Sequence, residues 1–191
     1  MILAKKLNSF KWFREFLWIY HYRKLRNCKL LVLDVDGVLT DGSLNYQQMT
    51  INRNFSVNDG IGIKLLLYYG IQIAIISGGK GDSIENRAKD LGIENCFVEI
   101  KDKLETLKKI QKKLNITKKE SIFVGDDIND LIVKSEVSLL IAPLNGNFYI
   151  GEAVNCVTNK NGGRGAVREV CDRILKSKRI IFKNINLKIT N

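Results

Sequence analysis

Two aspartates separated by one residue stand at the end of a short apolar run, where together they could hold a metal ion. The run covers residues 30–33 and is followed by Asp34, Asp36 and Gly37. Apolar runs of this length that end at a turn signal indicate buried parallel strands. In open α/β sheets, ligands bind beyond the carboxyl ends of such strands. The pair alone is a weak signal, because acidic residues are common in solvated loops.

Three more polar motifs follow at other predicted elements. The apolar run 71–76 ends at Ser77, Gly78 and Gly79, and the run 121–124 ends at GDDIND (125–130). Between them, KDK (101–103) opens a helical pattern. Four motifs thus follow one another along the chain: DxD after a strand, Ser after a strand, Lys at a helix start, and GDDxxD after a strand. This order is far more specific than any single motif.

This ordered set resembles the motifs of the haloacid dehalogenase-type phosphohydrolases. The closer resemblance is to the small capless branch that removes phosphate from 3-deoxy-D-manno-octulosonate 8-phosphate. Three stretches carry it, and they are DVDGVLTDG (34–42), FSVNDGIGIK (55–64) and GGRGAVREVCD (162–172). The resemblance implies a Rossmann-like parallel sheet with helices on both faces, no cap domain, and a projecting β-hairpin that takes part in a homotetramer.

The length and composition agree with one such α/β domain. The chain has 191 residues and is 45% hydrophobic, so it is long and apolar enough to form a sizeable core. It contains one proline and shows no evident linker between domains. Apolar runs alternate with helical stretches, which predicts βαβ units. We expect strands near 30–35, 71–76, 96–99, 121–124 and 137–141, helices near 59–69, 81–91, 101–115, 127–135 and 164–176, and a hairpin within 43–57.

The net charge of +11 is concentrated at the two ends of the chain. Residues 1–29 carry +7 and residues 176–191 carry +5, which leaves 30–175 at about −1. A nucleic-acid-binding domain would instead carry its basic residues on one face of the core. We therefore expect no nucleic-acid partner, and we divide the chain into a basic helical extension (1–27), the phosphatase-like domain (28–177) and a basic tail (178–191).

The extension has the pattern of an amphipathic helix. Its apolar residues recur at helical spacing, at Leu3, Leu7, Phe10, Phe13, Leu17 and Tyr20. Its longest apolar run, 16–20, is too short for a membrane span or a signal peptide. We interpret the extension as a docking helix that packs on its own domain or on another subunit and is dispensable for chemistry. Weak contact with a membrane surface is the alternative.

The cysteines and the single histidine exclude several kinds of site. The four cysteines form no CxxC pair, so we expect buried thiols in a cytoplasmic protein. His21 is the one histidine, which argues against His-rich metal sites and Ser-His-Asp catalysis. We expect His21 to be an ordinary surface or packing residue.

The resemblance implies a role for each motif. Asp34 is the nucleophile that forms an aspartyl phosphate, and Asp36 is the general acid and then the general base. Ser77 and the N–H groups of Gly78 and Gly79 hold phosphate oxygens. Lys103, rather than Lys101, offsets the phosphate charge.

The implied cofactor is Mg²⁺, which prefers oxygen ligands and keeps several waters. Its ligands are the carboxylates of Asp34 and Asp126 and the main-chain carbonyl of Asp36. Asp127 and Asp130 bind a coordinated water or orient the loop, or they are simply helix N-terminal acids.

The sugar-binding residues also come from the resemblance. They are Ser56, Val57, Asn58, Asp59, Gly60, Lys64, Gly78, Arg87 and Arg164, and Arg164 and Arg168 are placed to reach a sugar carboxylate from a neighbouring subunit. The chain departs from the family pattern in having Ser56 for asparagine, and Lys64 and Gly79 for arginine. It also lacks the usual glycine near Glu99, so we expect that loop to differ.

The sequence thus predicts Mg²⁺-dependent hydrolysis of 3-deoxy-D-manno-octulosonate 8-phosphate, in the pathway to a lipopolysaccharide sugar. One alternative is a phosphatase for a nonulosonate 9-phosphate, a sialic-acid-like substrate. Another is a noncatalytic oligomerisation module, against which the retention of Asp34, Asp36, Ser77 and Lys103 argues.

Overall fold

A parallel six-stranded sheet forms the centre of the computed structural model, which describes residues 10–47 and 50–180. The strand order is β5-β4-β1-β6-β7-β8. The strands are β1 (Leu30–Leu33), β4 (Gln72–Ile76), β5 (Asn95–Phe97), β6 (Ser121–Val124), β7 (Leu139–Ala142) and β8 (Cys156–Val157). Strand β1 pairs with β4 on one side and with β6 on the other. The DxD motif after β1 therefore leaves the sheet beside the Ser77 motif after β4 and the GDDIND motif after β6.

Helices cover both faces of this sheet, as predicted. Alternate residues of β1 point to opposite faces, so Leu31 and Leu33 belong to one apolar cluster, and Leu30 and Val32 belong to the other. The helices are α1 (Lys11–Tyr20), α2 (Tyr22–Arg26), α3 (Val57–Tyr68), α4 (Asp82–Leu91), α5 (Lys103–Leu114), α6 (Phe148–Ala153) and α7 (Ala166–Ser177), with 3₁₀ segments at Lys118–Glu120 and Ile128–Glu136. This arrangement confirms the predicted α/β fold.

The predicted hairpin is present between β1 and α3. Strands β2 (Asn45–Gln47) and β3 (Thr50–Asn52) pair antiparallel outside the main sheet. Tyr46 is 72% exposed on it. A large aromatic side chain thus faces solvent at this site.

The structure also differs from the predicted elements in detail. Helix α6 and strand β8 were not predicted, since one is short and the other has two residues. The segment expected as a helix near 127–135 is a 3₁₀ helix, for which Asp127 is the N-cap. Of the basic tail, residues 181–191 lie outside the described residues.

The described part of the N-terminal extension packs on its own domain. Trp18 and Leu25 are buried in the apolar cluster that also contains residues of α3 and α7. The guanidinium of Arg173 lies 4.4 Å from the centre of the Trp18 ring and binds Glu15 at 2.6 Å. Such a cation over an aromatic face adds to the burial of the ring. His21 is also buried, and this burial lowers its pKa.

Candidate active site

Three carboxylates meet at the carboxyl ends of β1 and β6. The side-chain oxygens of Asp34, Asp126 and Asp130 lie within 4.8 Å of one another. The turn after β1 requires a glycine, because Gly37 has a φ of +82° and a Cβ there would overlap the carboxylate of Asp126. Paired neighbouring strands and this tight turn therefore bring the first and last motifs together.

Lys103 is buried between two of these carboxylates. Its Nζ lies 2.9 Å from Asp34 Oδ2 and 2.6 Å from Asp130 Oδ1. Asp102 caps α5 by accepting the Glu105 N–H at 2.8 Å, which sets Lys103 as the first helical residue. Burial would lower the pKa of Lys103, but the charges of Asp34 and Asp130 raise it above its ordinary value. The ammonium therefore stays charged.

Asp130 organises the loop that follows β6. Its Oδ2 accepts the backbone N–H groups of Asp126 at 3.0 Å and Asp127 at 3.3 Å, and its side chain is fully buried. Asp127 instead accepts the N–H of Ile128 at 2.7 Å as the helix cap. Of the roles left open for these two residues, the geometry therefore supports loop orientation for Asp130 and capping for Asp127.

The remaining charge in the cluster is only partly balanced. Burial, and then the charge of Asp130, raise the pKa of Asp34 to about 6 despite its ion pair with Lys103. Burial, and then the charge of Asp34, raise the pKa of Asp126 to about 7. Both shifts have the same cause, since buried carboxylates that share one site repel each other. The hard oxygen donors of Asp34 and Asp126, with this uncompensated charge, fit Mg²⁺.

The cluster opens into a cavity of about 300 Å³. It is lined by Asp34, Asp36, Gly42, Ser77, Gly78, Gly79, Lys103, Asp126, Asp127 and Asn129. Ser77 follows β4 and is buried, and its Oγ accepts the N–H of Gly79 at 3.0 Å. The structure thus brings every residue predicted to be catalytic or metal-binding to one cavity, and the role of each residue stays a prediction.

Arg53 is a residue of this site that the sequence analysis missed. Its Nε and Nη2 bind the two carboxylate oxygens of Asp36, at 2.7 and 3.0 Å. Its side chain is 1% exposed. It comes from the end of the hairpin, where no motif spacing marks it. The signal that could have found Arg53 was Gly79, which stands where the family pattern has an arginine. The site therefore has one cation fewer than that pattern unless another residue supplies it.

A second cavity, of about 500 Å³, adjoins the first. It is lined by Asp41, Asn54, Phe55, Ser56, Asn58, Gly163 and Arg164. The two cavities are neighbours because Asp41 lines one and Gly42 lines the other. Three of the residues predicted to bind the sugar, Ser56, Asn58 and Arg164, therefore share one cavity beside the carboxylate cluster.

Comparisons with known proteins agree with this geometry. Two family models described as haloacid dehalogenase-like hydrolase match residues 56–133 and 97–170. The 3-deoxy-D-manno-octulosonate 8-phosphate phosphatase KdsC of Haemophilus influenzae is 36% identical over 157 residues, which cover 82% of this chain and 87% of that protein. The enzyme of the same name from Escherichia coli K12 is 38% identical over 80% of this chain and 81% of its own. The chain belongs to the haloacid dehalogenase-like hydrolases.

Solved structures place this hydrolase within the same branch of the family. The 3-deoxy-D-manno-octulosonate 8-phosphate phosphatase of Moraxella catarrhalis was solved with a magnesium ion, a phosphate ion and a KDO molecule. It superposes with a TM-score of 0.81 at 38% identity, over 84% of this chain and 92% of that one. The enzyme from Yersinia pestis gives a TM-score of 0.81 at 34% identity, over 83% and 86%.

Other predicted sugar-binding residues lie behind the second cavity. Arg87 donates to the main-chain oxygen of Ser56 at 3.1 Å and lies against Gly60, where a Cβ would overlap its guanidinium. The carboxylate of Asp59 accepts the N–H groups of Gly165 and Arg168, at 3.3 and 2.7 Å. Arg87 and Asp59 thus fix the cavity wall, and their direct contact with a substrate stays a prediction.

The last predicted sugar-binding positions differ in exposure. Val57, the first residue of α3, is exposed, and Lys64 is half-buried on the same helix. The side chain of Arg164 is 72% exposed, and its Nη2 lies 3.2 Å from Asp41 Oδ2. Arg168 binds Asp172 on its own helix at 2.8 Å.

Within residues 10–47 and 50–180, no helix has the length and apolar character needed to cross a membrane.

Proposed function

We propose that this hydrolase removes phosphate from 3-deoxy-D-manno-octulosonate 8-phosphate and releases the free sugar acid for lipopolysaccharide synthesis. The observation that carries this proposal is the buried Asp34 carboxylate, which Lys103 holds at the floor of a cavity next to a second, sugar-sized cavity. Relatives that are 36% and 38% identical to this chain carry the name of that activity.

In the proposed reaction, Asp34 attacks phosphorus, and the bond between phosphorus and the sugar oxygen breaks as Asp36 donates a proton to that oxygen. The product of this step is an aspartyl phosphate. Asp36 then takes a proton from water, which attacks phosphorus and releases phosphate and the Asp34 carboxylate. Lys103 stabilises the charge on the transferring group, and removing one such donor from an enzyme costs about 10²–10³ in kcat.

The Asp34 and Asp126 carboxylates and the Asp36 carbonyl would hold Mg²⁺. When bound, the ion neutralises negative charge on the nucleophile and the phosphate oxygens. The hydroxyl of Ser77 and the N–H of Gly78 would bind the phosphate oxygens. In the proposed oligomer, Arg164 would leave Asp41 and bind the sugar carboxylate in the site of a neighbouring subunit, for which a guanidinium is well suited.

The decisive experiment measures phosphate release from a panel of sugar phosphates, with Mg²⁺ and with a chelator. We expect kcat/KM for the eight-carbon 2-keto-3-deoxy acid to exceed that for a sugar phosphate without a carboxylate by about tenfold or more, a difference of about 1.4 kcal/mol. A preference for the sugar without a carboxylate would refute the proposal. A preference for a nine-carbon acid would replace it with the nonulosonate alternative.

We further propose a homotetramer, in which a neighbouring subunit covers the open site. The exposed hairpin, with Tyr46 and Leu44, and the exposed Arg164 are the surfaces that support this proposal. Light scattering at micromolar concentration should give four chains per particle. A fully active monomer would contradict the proposal.

The outward face of α1 supports a proposal of weak contact between this cytoplasmic enzyme and an anionic membrane surface. Trp12, Phe16, Ile19 and Tyr20 are all exposed there. Lys11 and Lys24, two exposed basic residues of the same extension, complement anionic lipid, whereas they would repel the same face of a second copy of the chain. This favours lipid over another subunit as the partner of the exposed face, whereas the opposite face packs on the chain's own domain, which is one of the two arrangements that the sequence suggested.

Vesicle binding tests this surface. The full chain should sediment with vesicles that contain an anionic phospholipid and much less with neutral vesicles, and added salt should weaken the binding. The double substitution Trp12→Ser and Phe16→Ser should abolish sedimentation and leave kcat unchanged. Equal binding to neutral vesicles, or none to anionic ones, would overturn the proposal.

A further inference from the structure

The space that a side chain at position 79 would need is filled by the guanidinium of Arg53. A Cβ built on Gly79 would lie 2.7 Å from Arg53 Nη2, 2.8 Å from Asp36 Oδ2 and 3.3 Å from Ser77 Oγ. The first two distances are shorter than the contacts that Cβ atoms make in proteins, so these neighbours would have to move. The position of the Arg53 guanidinium therefore depends on a glycine at 79, because a larger residue there would displace it.

The Arg53 side chain is fixed on every side. Its Nε and Nη2 bind Asp36, and its Nη1 donates to the main-chain oxygen of Lys80 at 2.9 Å and to Ser83 Oγ at 3.4 Å. Ser83 Oγ itself donates to the Ile51 oxygen at 3.2 Å, within the hairpin. A buried guanidinium needs such partners to offset its desolvation. The Arg53 guanidinium therefore has one orientation, and its two hydrogen bonds to Asp36 set the orientation of that carboxylate.

Asp36 has no other side-chain contact of this kind in the described residues. A lone carboxylate at the mouth of a cavity rotates among several conformers, whereas two parallel hydrogen bonds to a guanidinium hold its plane. The position of Asp36 matters because proton transfer requires it within hydrogen-bond reach of the leaving oxygen.

We infer that Arg53 is the positioning residue for Asp36 in this enzyme, and that Gly79 is the residue that makes room for it. The hairpin thus supplies to the site a cation that the loop after β4 lacks. This inference rests on the proposed role of Asp36 as the acid for the leaving oxygen.

The test compares two leaving groups in the variant Arg53→Ala. An alkyl phosphate needs a proton on its leaving oxygen, whereas p-nitrophenyl phosphate has a good leaving group and does not. The ratio kcat/KM reports the steps up to formation of the aspartyl phosphate, so it isolates the donation by Asp36. We expect kcat/KM to fall by about tenfold to 10²-fold for the alkyl ester. For the aryl ester it should stay within about threefold.

Equal losses on both esters, or no loss on either, would overturn the inference. A merely structural role would give equal losses. Arg53→Lys, which keeps a charge but not the fork, should lie between wild type and Arg53→Ala and guards against an unfolded alanine variant. Lys80→Ala is the matched control, since it removes an exposed neighbouring cation and should change neither ester.

A second pair of variants tests whether an arginine at position 79 can replace the arginine at position 53. Gly79→Arg alone should lower activity on the alkyl ester, because the new side chain collides with Arg53. The double variant Arg53→Ala with Gly79→Arg should recover part of that activity relative to Arg53→Ala. No recovery would contradict this replacement. If the enzyme cleaves simple alkyl and aryl phosphates but not the sugar-acid phosphate, the proposed substrate fails while this test of Arg53 still stands.

Discussion

The ammonium of Lys103 lies 2.9 Å from a carboxylate oxygen of Asp34, and both side chains are buried. The same ammonium also binds Asp130, which holds the loop that carries Asp126. One cation thus connects the proposed nucleophile with the metal-binding loop. This contact holds the proposed nucleophile in place without a substrate.

This contact predicts different results for two nearby lysines. Lys103→Met should lower kcat by about 10²–10³, because it removes a cation that stabilises the transferring phosphate. It should also lower the melting temperature, since it leaves two buried carboxylates without their partner. Steady-state kinetics with thermal unfolding measure both effects. Lys101→Ala, at an exposed position, is the control, and a larger loss there than at Lys103 would refute the assignment.

The raised pKa values predict how pH changes the effect of Mg²⁺ on stability. Without a bound metal ion, the pKa values of about 6 for Asp34 and about 7 for Asp126 exceed their value near 3.8 in the unfolded chain. The folded state therefore binds protons more tightly, and the stability that these protons contribute is lost as pH rises through 6 and 7.

Mg²⁺ binds the ionised carboxylates, so the rise in melting temperature that it causes should be larger at pH 8 than at pH 5. Thermal unfolding with Mg²⁺ and with a chelator at both pH values measures the difference. Asp126→Asn should reduce the difference. A larger effect of Mg²⁺ at pH 5 would contradict the prediction.

Glu99 predicts a stabilising substitution. It has a φ of +55°, in the left-handed region, and it is exposed. A non-glycine residue there costs about 1–2 kcal/mol, so Glu99→Gly should raise the free energy of unfolding by about 1 kcal/mol. Denaturant unfolding measures this, with Glu99→Ala as the control that keeps the strain. Destabilisation by glycine would show that the loop is not strained.

The sequence predicted the sheet well and the environment of Arg53 not at all. Strands buried on both faces are continuous apolar runs, so β1, β4 and β6 could be found from composition alone. Strand β8 has two residues, and α6 is too short to show a period. The contact of Arg53 with Asp36 joins residues from two different elements, and no local pattern encodes it.

The packing of α1 was also beyond the local pattern. Its sequence pattern placed Phe13 and Leu17 on the apolar face, and Leu17 does pack against the core, but the most buried residues of the helix are Arg14 and Trp18. The reason is tertiary, because Asn159 accepts from Arg14 and Arg173 covers the ring of Trp18. Hydrophobic periodicity cannot report partners such as these, which lie on a distant loop and on another helix.

The two tryptophans of α1 form a matched pair for stability. Trp18 is 3% exposed and Trp12 is 64% exposed. Trp18→Ala should lower the free energy of unfolding by about 3–5 kcal/mol, and Trp12→Ala should change it by about 0.5 kcal/mol or less. Denaturant titration measures both. Equal effects would mean that α1 does not pack as described.

The most direct test of the account is the phosphate released by Asp34→Asn from 3-deoxy-D-manno-octulosonate 8-phosphate in the presence of Mg²⁺. This variant should fold with an unchanged circular dichroism spectrum and lose its turnover, because the amide cannot attack phosphorus. A folded variant that retains more than about 5% of the wild-type turnover would contradict the role of Asp34, because an enzyme without its nucleophile should retain far less activity.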